Sequence, residues 1–346
     1  MASREELALV FQDTMDYIDE EPLLQENVIK SKKNSKFYNF SDKINPPQID
    51  KDNCCTVDVT RRRTFAEVAE LRKKFNKEKI AVLNFASALT PGGGVISGSR
   101  AQEESLCRCS TLYPVLLKKE FRDKYYGYNR SNYNFKYTDA CIYTPDIAII
   151  KSDIDVPERL SQDEWLYVDV ITCAAPNLRR TDYRLNGGEI FNLHINRGRR
   201  ILDVALDNGV DVLVLGAFGC GAFGNPPEIV SKAYKQLVEE YQHDFTHISF
   251  AVFCSERDRK NYDMFAKTFL GQHDNLVDLN IIRHTENQSI VNHFLAIKRI
   301  IKQKCNRCDR IAGCLGCCFS KGEMIYHIDE CLSYMRMVND DQFIDE

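Results

Sequence analysis

The sequence predicts an α/β fold with a mostly parallel central sheet and helices on both faces, and three observations lead there. Short apolar runs at Ile80–Phe85, Ile147–Ile150, Leu166–Cys173, Val212–Leu215 and His247–Phe253 alternate with longer segments of helical period. Two of those runs pass directly into glycine-rich turns, at Thr90–Val95 and Gly216–Gly224, as strands of an open parallel sheet do where they meet a ligand. Hydrophobic residues make up 44% and charged residues 28% of 346 positions, enough to bury a sizeable core.

Residues 2–18 read as a helix, with Leu7, Val10, Phe11, Thr14 and Ile18 near one face. Residues 30–62 are polar and carry Pro46-Pro47, followed by a short β-like stretch at Cys55–Val59. Thr64 is placed to cap a helix over Phe65–Phe75, with Glu67 in the capping-box position. Ile80–Phe85 is a buried strand, residues 102–120 a helix opened by two acidic residues, and residues 122–140 a long surface loop rich in Tyr and Asn. Beyond the strands at 147–150 and 166–173 come a long helix over Glu189–Leu206, the strand Val212–Leu215, a helix over Pro226–Tyr241 and the strand His247–Phe253. The pattern changes after residue 275, with a helix expected over Ser289–Lys302 and a cysteine cluster behind it. The expected organisation is a large domain over 1–275 and a helical, Cys-rich tail over 276–346, with no internal repeat.

The formal net charge is −4, so no global positive field draws the chain to nucleic acid or an anionic membrane, and a polyanionic substrate requires a local site. No run of eighteen apolar residues appears, and the N-terminus, with Arg4, Glu5 and Glu6, lacks an apolar signal core. A cytoplasmic or nuclear, monomeric protein is expected, whose fourteen cysteines stay as thiols or bind metal. His194, His243, His247, His273, His284 and His293 are scattered and form no metal or triad motif.

Pro91-Gly92-Gly93-Gly94-Val95 follows a buried strand, and three glycines free the backbone to turn N–H groups toward an anion. A plain tight turn is the alternative. The second loop, Gly216-Ala217-Phe218-Gly219-Cys220-Gly221-Ala222-Phe223-Gly224, stands between a strand and a helix start, so the two loops together suit a diphosphate held from both sides. Phe218 and Phe223 are candidates for stacking on a base or ribose, or for plain loop packing. Between the loops, Gln102-Glu103-Glu104 opens a helix. Two carboxylates there either complement the helix dipole at the surface or form an acid catalyst, with burial raising the pKa of the acting glutamate.

Asn84-Phe85-Ala86, Pro91-Gly92-Gly93-Gly94 and Gln102-Glu103-Glu104-Ser105-Leu106 together resemble the microbial-type poly(ADP-ribose) glycohydrolases of the macrodomain superfamily. The similarity continues through Cys107–Tyr113, Tyr143–Asp146, Ala174–Asn177 and Gly219–Asn225 and covers about residues 1–270. The resemblance implies a macrodomain-like three-layer α/β/α fold with an N-terminal helical extension, and hydrolysis of ribose–ribose bonds from the free end of the polymer. By the same resemblance Glu104 is the general acid and base, Glu103 holds the ribose hydroxyls, and Asn84 orients the terminal ribose. Gln102 and Pro91 to Val95 fall in the binding region; Gly92, Gly93 and Gly94 line ribose and diphosphate. Gly219, Cys220, Gly221, Ala222, Phe223 and Gly224 close over the diphosphate, and no metal enters the reaction. A wall behind the adenosine ribose is expected from residues 122–140 and the N-terminal helix. An ADP-ribose-binding reader and a hydrolase of mono-ADP-ribosyl esters or small ADP-ribose metabolites are the rival functions.

The tail carries Cys305-x2-Cys308-x5-Cys314-x2-Cys317, with Cys318, His327 and Cys331 beyond. The first four are candidate ligands of a structural zinc and the last three their alternatives; a cluster of unliganded thiols is the other reading.

Overall fold

The computed structural model describes residues 2–47, 55–179 and 185–270. Among them, seven strands form one sheet in the order β1-β4-β5-β3-β6-β7-β2. These are β1 (Lys36–Tyr38), β2 (Thr56–Thr60), β3 (Ile80–Phe85), β4 (Cys141–Ile149), β5 (Leu166–Cys173), β6 (Val212–Leu215) and β7 (His247–Ala251). The β5-β3-β6-β7-β2 block is parallel throughout, and β4 and β1 continue it antiparallel at one edge.

Alternation along the strands divides the core in two. Val82, Val170, Val212 and Val214 face one cluster with Phe11 and Ile18 of α1 (Arg4–Glu20), Leu24 and Val28 of α2 (Pro22–Asn34), and Phe65, Val68 and Leu71 of α3 (Thr64–Lys74). The same cluster takes Leu106 and Cys107 from α4 (Gln102–Cys109) and Leu112 and Val115 from α5 (Leu112–Leu116). Ala81, Leu83, Ile171, Leu213 and Ile248 face the other way, against α8 (Gly187–Asp207), α9 (Pro227–Glu240) and Phe265 of α10 (Lys260–Leu270). The described residues form the expected three-layer α/β/α sandwich.

Four local expectations are corrected. Thr64 is the first residue of α3 rather than its cap: Arg63 occupies the cap without a side-chain bond. Glu67 instead turns inward to accept from Thr60 Oγ1 (2.7 Å) and Ser249 Oγ (3.0 Å), tying α3 to the sheet. The helix expected over 102–120 breaks at Ser110, whose backbone is extended and bridges to Ile149, and resumes as α5 and the short α6 (Lys119–Phe121). Residues 122–140 are not wholly a surface loop. They begin with a π-helical turn over Arg122–Gly127 and α7 (Tyr128–Ser131), because Tyr125 and Tyr126 are core residues. The strand expected at 147–150 is the second half of β4, which slips register between Thr144 and Ile147, with Asp146 at φ 56°.

The boundary at 275, the helix at 289–302 and every candidate zinc ligand from Cys305 to Cys331 lie outside the described residues. Among the described residues, Cys107, Cys109, Cys141 and Cys173 are buried thiols, no group of three or more His, Cys, Asp or Glu is arranged for a metal ion, and no helix is long and apolar enough to cross a membrane.

Candidate active site

A cleft of about 360 Å³ opens beyond the carboxyl ends of the parallel strands, where side-chain layers stop and loops diverge. Phe85 at the end of β3 and Ser87 beyond it, Ala175 after β5, Ala217 to Gly219 and Gly221 to Phe223 after β6, and Val252 and Phe253 after β7 line it, together with Gln102 to Leu106 of α4. Cys220 of the expected binding loop does not. The second glycine loop and the carboxylate pair, more than a hundred residues apart, thus share one cavity.

Both glutamates lie on the first turn of α4, which no side chain caps, so its amide dipoles favour negative charge there. They are nonetheless buried, at 2% exposure for Glu103 and 7% for Glu104. Glu103 Oε2 accepts from the Ser87 N–H (2.6 Å) and Oε1 from Asn84 Nδ2 (3.4 Å). Burial pushes its pKa up to about 8 against the relief given by the Ser87 N–H, with the neighbouring Glu104 charge adding to the rise. This upward shift falls on Glu103, the carboxyl to which the family resemblance gives the ribose hydroxyls. Glu104 Oε1 accepts from the Gly94 N–H (2.9 Å), while its Oε2 is buried with no hydrogen-bond partner.

The first glycine loop does meet acidic groups, but they are the protein's own carboxyls. Gly94 donates to Glu104, Gly92 supplies a backbone hydrogen bond to Glu103, and Gly93 donates to the Thr90 carbonyl (3.0 Å). A Cβ on Gly93, whose φ is +58°, would collide with Glu104 Oε1 and stand 3.0 Å from Glu103 Oε2. Pro91 to Val95 are absent from the cleft lining, and the Val95 side chain belongs to the core; through Gly92 and Gly94 the loop braces the two acids.

Asn84 is fully buried and bonds Glu103 and Thr172 Oγ1 (3.2 Å) through Nδ2, leaving Oδ1 unpartnered. It reaches the cleft through Glu103. Gln102 is a strut: its Oε1 accepts from the Phe85 N–H (2.8 Å), and its Nε2 donates to the Leu83 carbonyl (2.7 Å) and Thr64 Oγ1 (3.1 Å).

The second loop is built otherwise. Asn225 Nδ2 donates to the carbonyls of Pro176 (2.8 Å) and Gly219 (3.0 Å), and its Oδ1 lies 3.0 Å from His194 Nε2. Burial lowers the His194 pKa to about 4, so the ring is neutral and anchors the latch. The N–H groups of Gly219, Gly221, Ala222 and Phe223 have no partner among the described residues, which leaves them for an anion. Phe218 is buried with its ring edge-on to Phe85 (5.6 Å between centroids), and both Phe218 and Phe223 line the cleft. Burial raises the Cys220 thiol to about 12, which keeps it protonated.

Sequence reasoning missed Arg63, Arg100, Asp153, Phe253 and Asn261, all of which line the cleft. The Arg63 guanidinium lies over the Phe253 ring at 4.0 Å; Asp153 accepts from Ser105 Oγ (2.9 Å) and the Phe65 N–H (3.0 Å). The basic triplet at 61–63 and an aromatic at a strand end were the available signals. Neither α1 nor residues 122–140 contributes to the lining. Instead α1 backs α4, with Thr14 Oγ1 donating to the Arg108 carbonyl (2.6 Å), and Tyr137 touches Phe223 (6.2 Å between centroids).

Residues 7–152 match the family model of the microbial-type PARG catalytic domain. Among solved structures, the poly(ADP-ribose) glycohydrolase of Thermomonospora curvata is 26% identical with a TM-score of 0.68, over 77% of this chain and 100% of that one. The same enzyme bound to the inhibitor ADP-HPD is 27% identical with a TM-score of 0.65, again over 77% and 100%. A point mutant of the Deinococcus radiodurans poly(ADP-ribose) glycohydrolase in complex with ADP-ribose is 31% identical with a TM-score of 0.61, over 70% of this chain and 96% of that one. No curated protein sequence matches the chain. With 31% identity across 96% of the Deinococcus radiodurans enzyme and the family model matched over 7–152, the chain belongs to the microbial-type poly(ADP-ribose) glycohydrolase family.

Proposed function

We propose that this glycohydrolase cuts the ribose–ribose O-glycosidic bond of poly(ADP-ribose) from the free end, with Glu104 as acid and base. The carrying observation is Glu104 itself: one oxygen held by the Gly94 N–H, the other buried at the cleft without a partner. In the first step Glu104 gives its proton to the leaving 2′-oxygen as the anomeric C–O bond breaks. The positive charge developing on the sugar is stabilised by the substrate's own diphosphate, held on the N–H groups of Gly219, Gly221, Ala222 and Phe223. Glu104, now a carboxylate, takes a proton from water as the water oxygen bonds the anomeric carbon, which restores the acid and releases ADP-ribose. Glu103 holds the ribose hydroxyls and Asn84 holds Glu103; the carboxyls are neighbours on one turn, so the two-carboxylate division of most glycosidases is not required.

The test compares the parent and Glu104→Gln on poly(ADP-ribosyl)ated protein, with released ADP-ribose quantified and ADP-ribose binding followed by calorimetry. Loss of release by about 10²–10⁴-fold with binding retained is the expected result. Equal release by the variant would remove Glu104 from the chemistry. No release by either, with binding intact, would favour a reader or a different ADP-ribosyl linkage.

The reading includes a monomer in the cytoplasm or nucleus and a structural zinc in the tail, on Cys305, Cys308, Cys314 and Cys317 or with Cys318, His327 or Cys331 substituting. The Cys-x2-Cys spacing supports the zinc, and metal analysis of the full chain before and after chelation tests it.

A further inference from the structure

A second cavity of about 680 Å³ lies at the β1 edge of the sheet, lined by Phe37 and by the segment from Arg122 to Asn132. On a chain of net charge −4, residues 118–136 hold six Lys or Arg against two acidic residues. Arg122, Lys124, Tyr128 and Arg130 are exposed on the groove. The acidic members are engaged locally: Asp123 pairs with Lys119 (2.9 Å), and Glu120 with Lys118 (3.3 Å) and Lys124 (2.9 Å). Arg122 has no side-chain partner of its own among the described residues. Aromatic faces accompany the charge, with Tyr128 against Phe40 at 5.4 Å between centroids and Lys124 over the Phe37 ring at 6.0 Å.

The groove adjoins the active site through short contacts. Arg130 Nη1 donates to the Leu89 carbonyl (2.6 Å), Leu89 and Thr90 donate backbone N–H groups to Ser87 Oγ (3.2 and 3.1 Å), and the Ser87 N–H holds Glu103. The loop between β3 and the first glycine turn thus has catalysis on one side and the basic groove on the other.

From this juxtaposition we infer that the Arg122–Tyr128–Arg130 groove is an exosite for units of the same poly(ADP-ribose) chain upstream of the bond being cut. The inference rests on the glycohydrolase reading above. Diphosphates, two charges per unit, pair with the guanidinium and ammonium groups, and adenines stack on Tyr128 and its aromatic neighbours. Occupancy tethers a long polymer to the enzyme, so its next free end is captured from a raised local concentration, whereas a dimer is too short to gain.

The test pairs the parent with Arg122→Glu/Tyr128→Ala, leaving Arg130 in place because it holds the loop at Leu89. Initial rates are measured on polymer of about thirty units and on an ADP-ribose dimer. The expected result is a KM about tenfold higher for the long polymer at low salt, with kcat and both dimer constants unchanged. An unchanged KM for polymer, or an equal change for dimer, would overturn the exosite. Arg122→Glu alone, at an exposed position, repeats the comparison should the double variant unfold. In a Glu104→Gln background with excess ADP-ribose filling the cleft, labelled polymer should still bind, and groove substitution should abolish that binding. Single-stranded RNA of matched phosphate count binding as tightly as polymer would overturn the assignment in favour of nucleic acid. A parent that cleaves neither substrate would sink the glycohydrolase reading, and the exosite with it.

Discussion

The two glycine loops read alike as strings of residues and do opposite work. In the first, Gly93 is small because a carboxylate occupies the space a Cβ would need, and the backbone donors of Gly92 and Gly94 face Glu103 and Glu104. In the second, Gly221 has nothing within 4 Å of its would-be Cβ, and four N–H groups are unclaimed among the described residues. One loop solvates the catalyst and the other waits for the ligand. Glycine frequency therefore marks where backbone comes close to something charged, without saying which partner carries the charge.

The largest effect expected from breaking this contrast is at Gly93. Gly93→Ala puts a methyl on Glu104 at a positive φ, and displacing the acid by about 1 Å costs roughly 10²-fold in kcat. ADP-ribose affinity, set by the other loop, should stay within a few-fold of the parent by calorimetry. Comparable losses of kcat and affinity would mean that the first loop touches ligand after all.

Next comes pH. Because Glu103 titrates at about 8 in the fold and near 4.5 ordinarily, the fold keeps a proton there that the unfolded chain releases. The stability from that proton is complete below about pH 4.5 and is lost as pH rises toward 8. The parent's Tm should fall across this window as pH rises, and Glu103→Gln should flatten the trend. The parent's kcat/KM should also fall above about pH 8, as the buried Glu103 carboxyl that holds the ribose hydroxyls loses its proton. An identical pH dependence of stability in parent and variant would remove Glu103 from that linkage.

Gly219→Ala should act on the second loop's frame, since its φ is +77° and a Cβ would meet Ala175 and Asn225 Nδ2 at 2.6 Å. A stability loss of about 2 kcal/mol is expected in denaturant titration. The smallest effect belongs to Gly221→Ala, which collides with nothing. Tm should be unchanged while KM rises about threefold, as the methyl takes room at the unclaimed N–H groups. A fall in Tm of several degrees would show that this position is structural.

Most of the frame was legible in the chain because its signals are local. The runs at 80–85, 166–173 and 212–215 became strands at those residues, and Pro226–Tyr241 became α9 to within a residue at each end. The Gln102-Glu103-Glu104 block and both loops carried the family resemblance, and the cleft unites the second loop with the acids. Where local rules failed, a distant partner had intervened. Ser110 is extended to bridge Ile149, Glu67 left its capping-box role for Ser249, and Tyr125 and Tyr126 drew a polar-looking segment into helical turns.

Periodicity, apolar runs and glycine placement by themselves determined an α/β sheet with functional loops, since hydrophobic spacing dictates which face of each element is buried. Only the tertiary structure decided that Glu103 would bear the large upward pKa shift, that Gln102 would be a strut, that Val95 would be core, and that Arg63 and Phe253 would meet at the cleft. Desolvation, hydrogen-bond partners and cavity walls come from residues tens to hundreds of positions away. No window along the chain contains them.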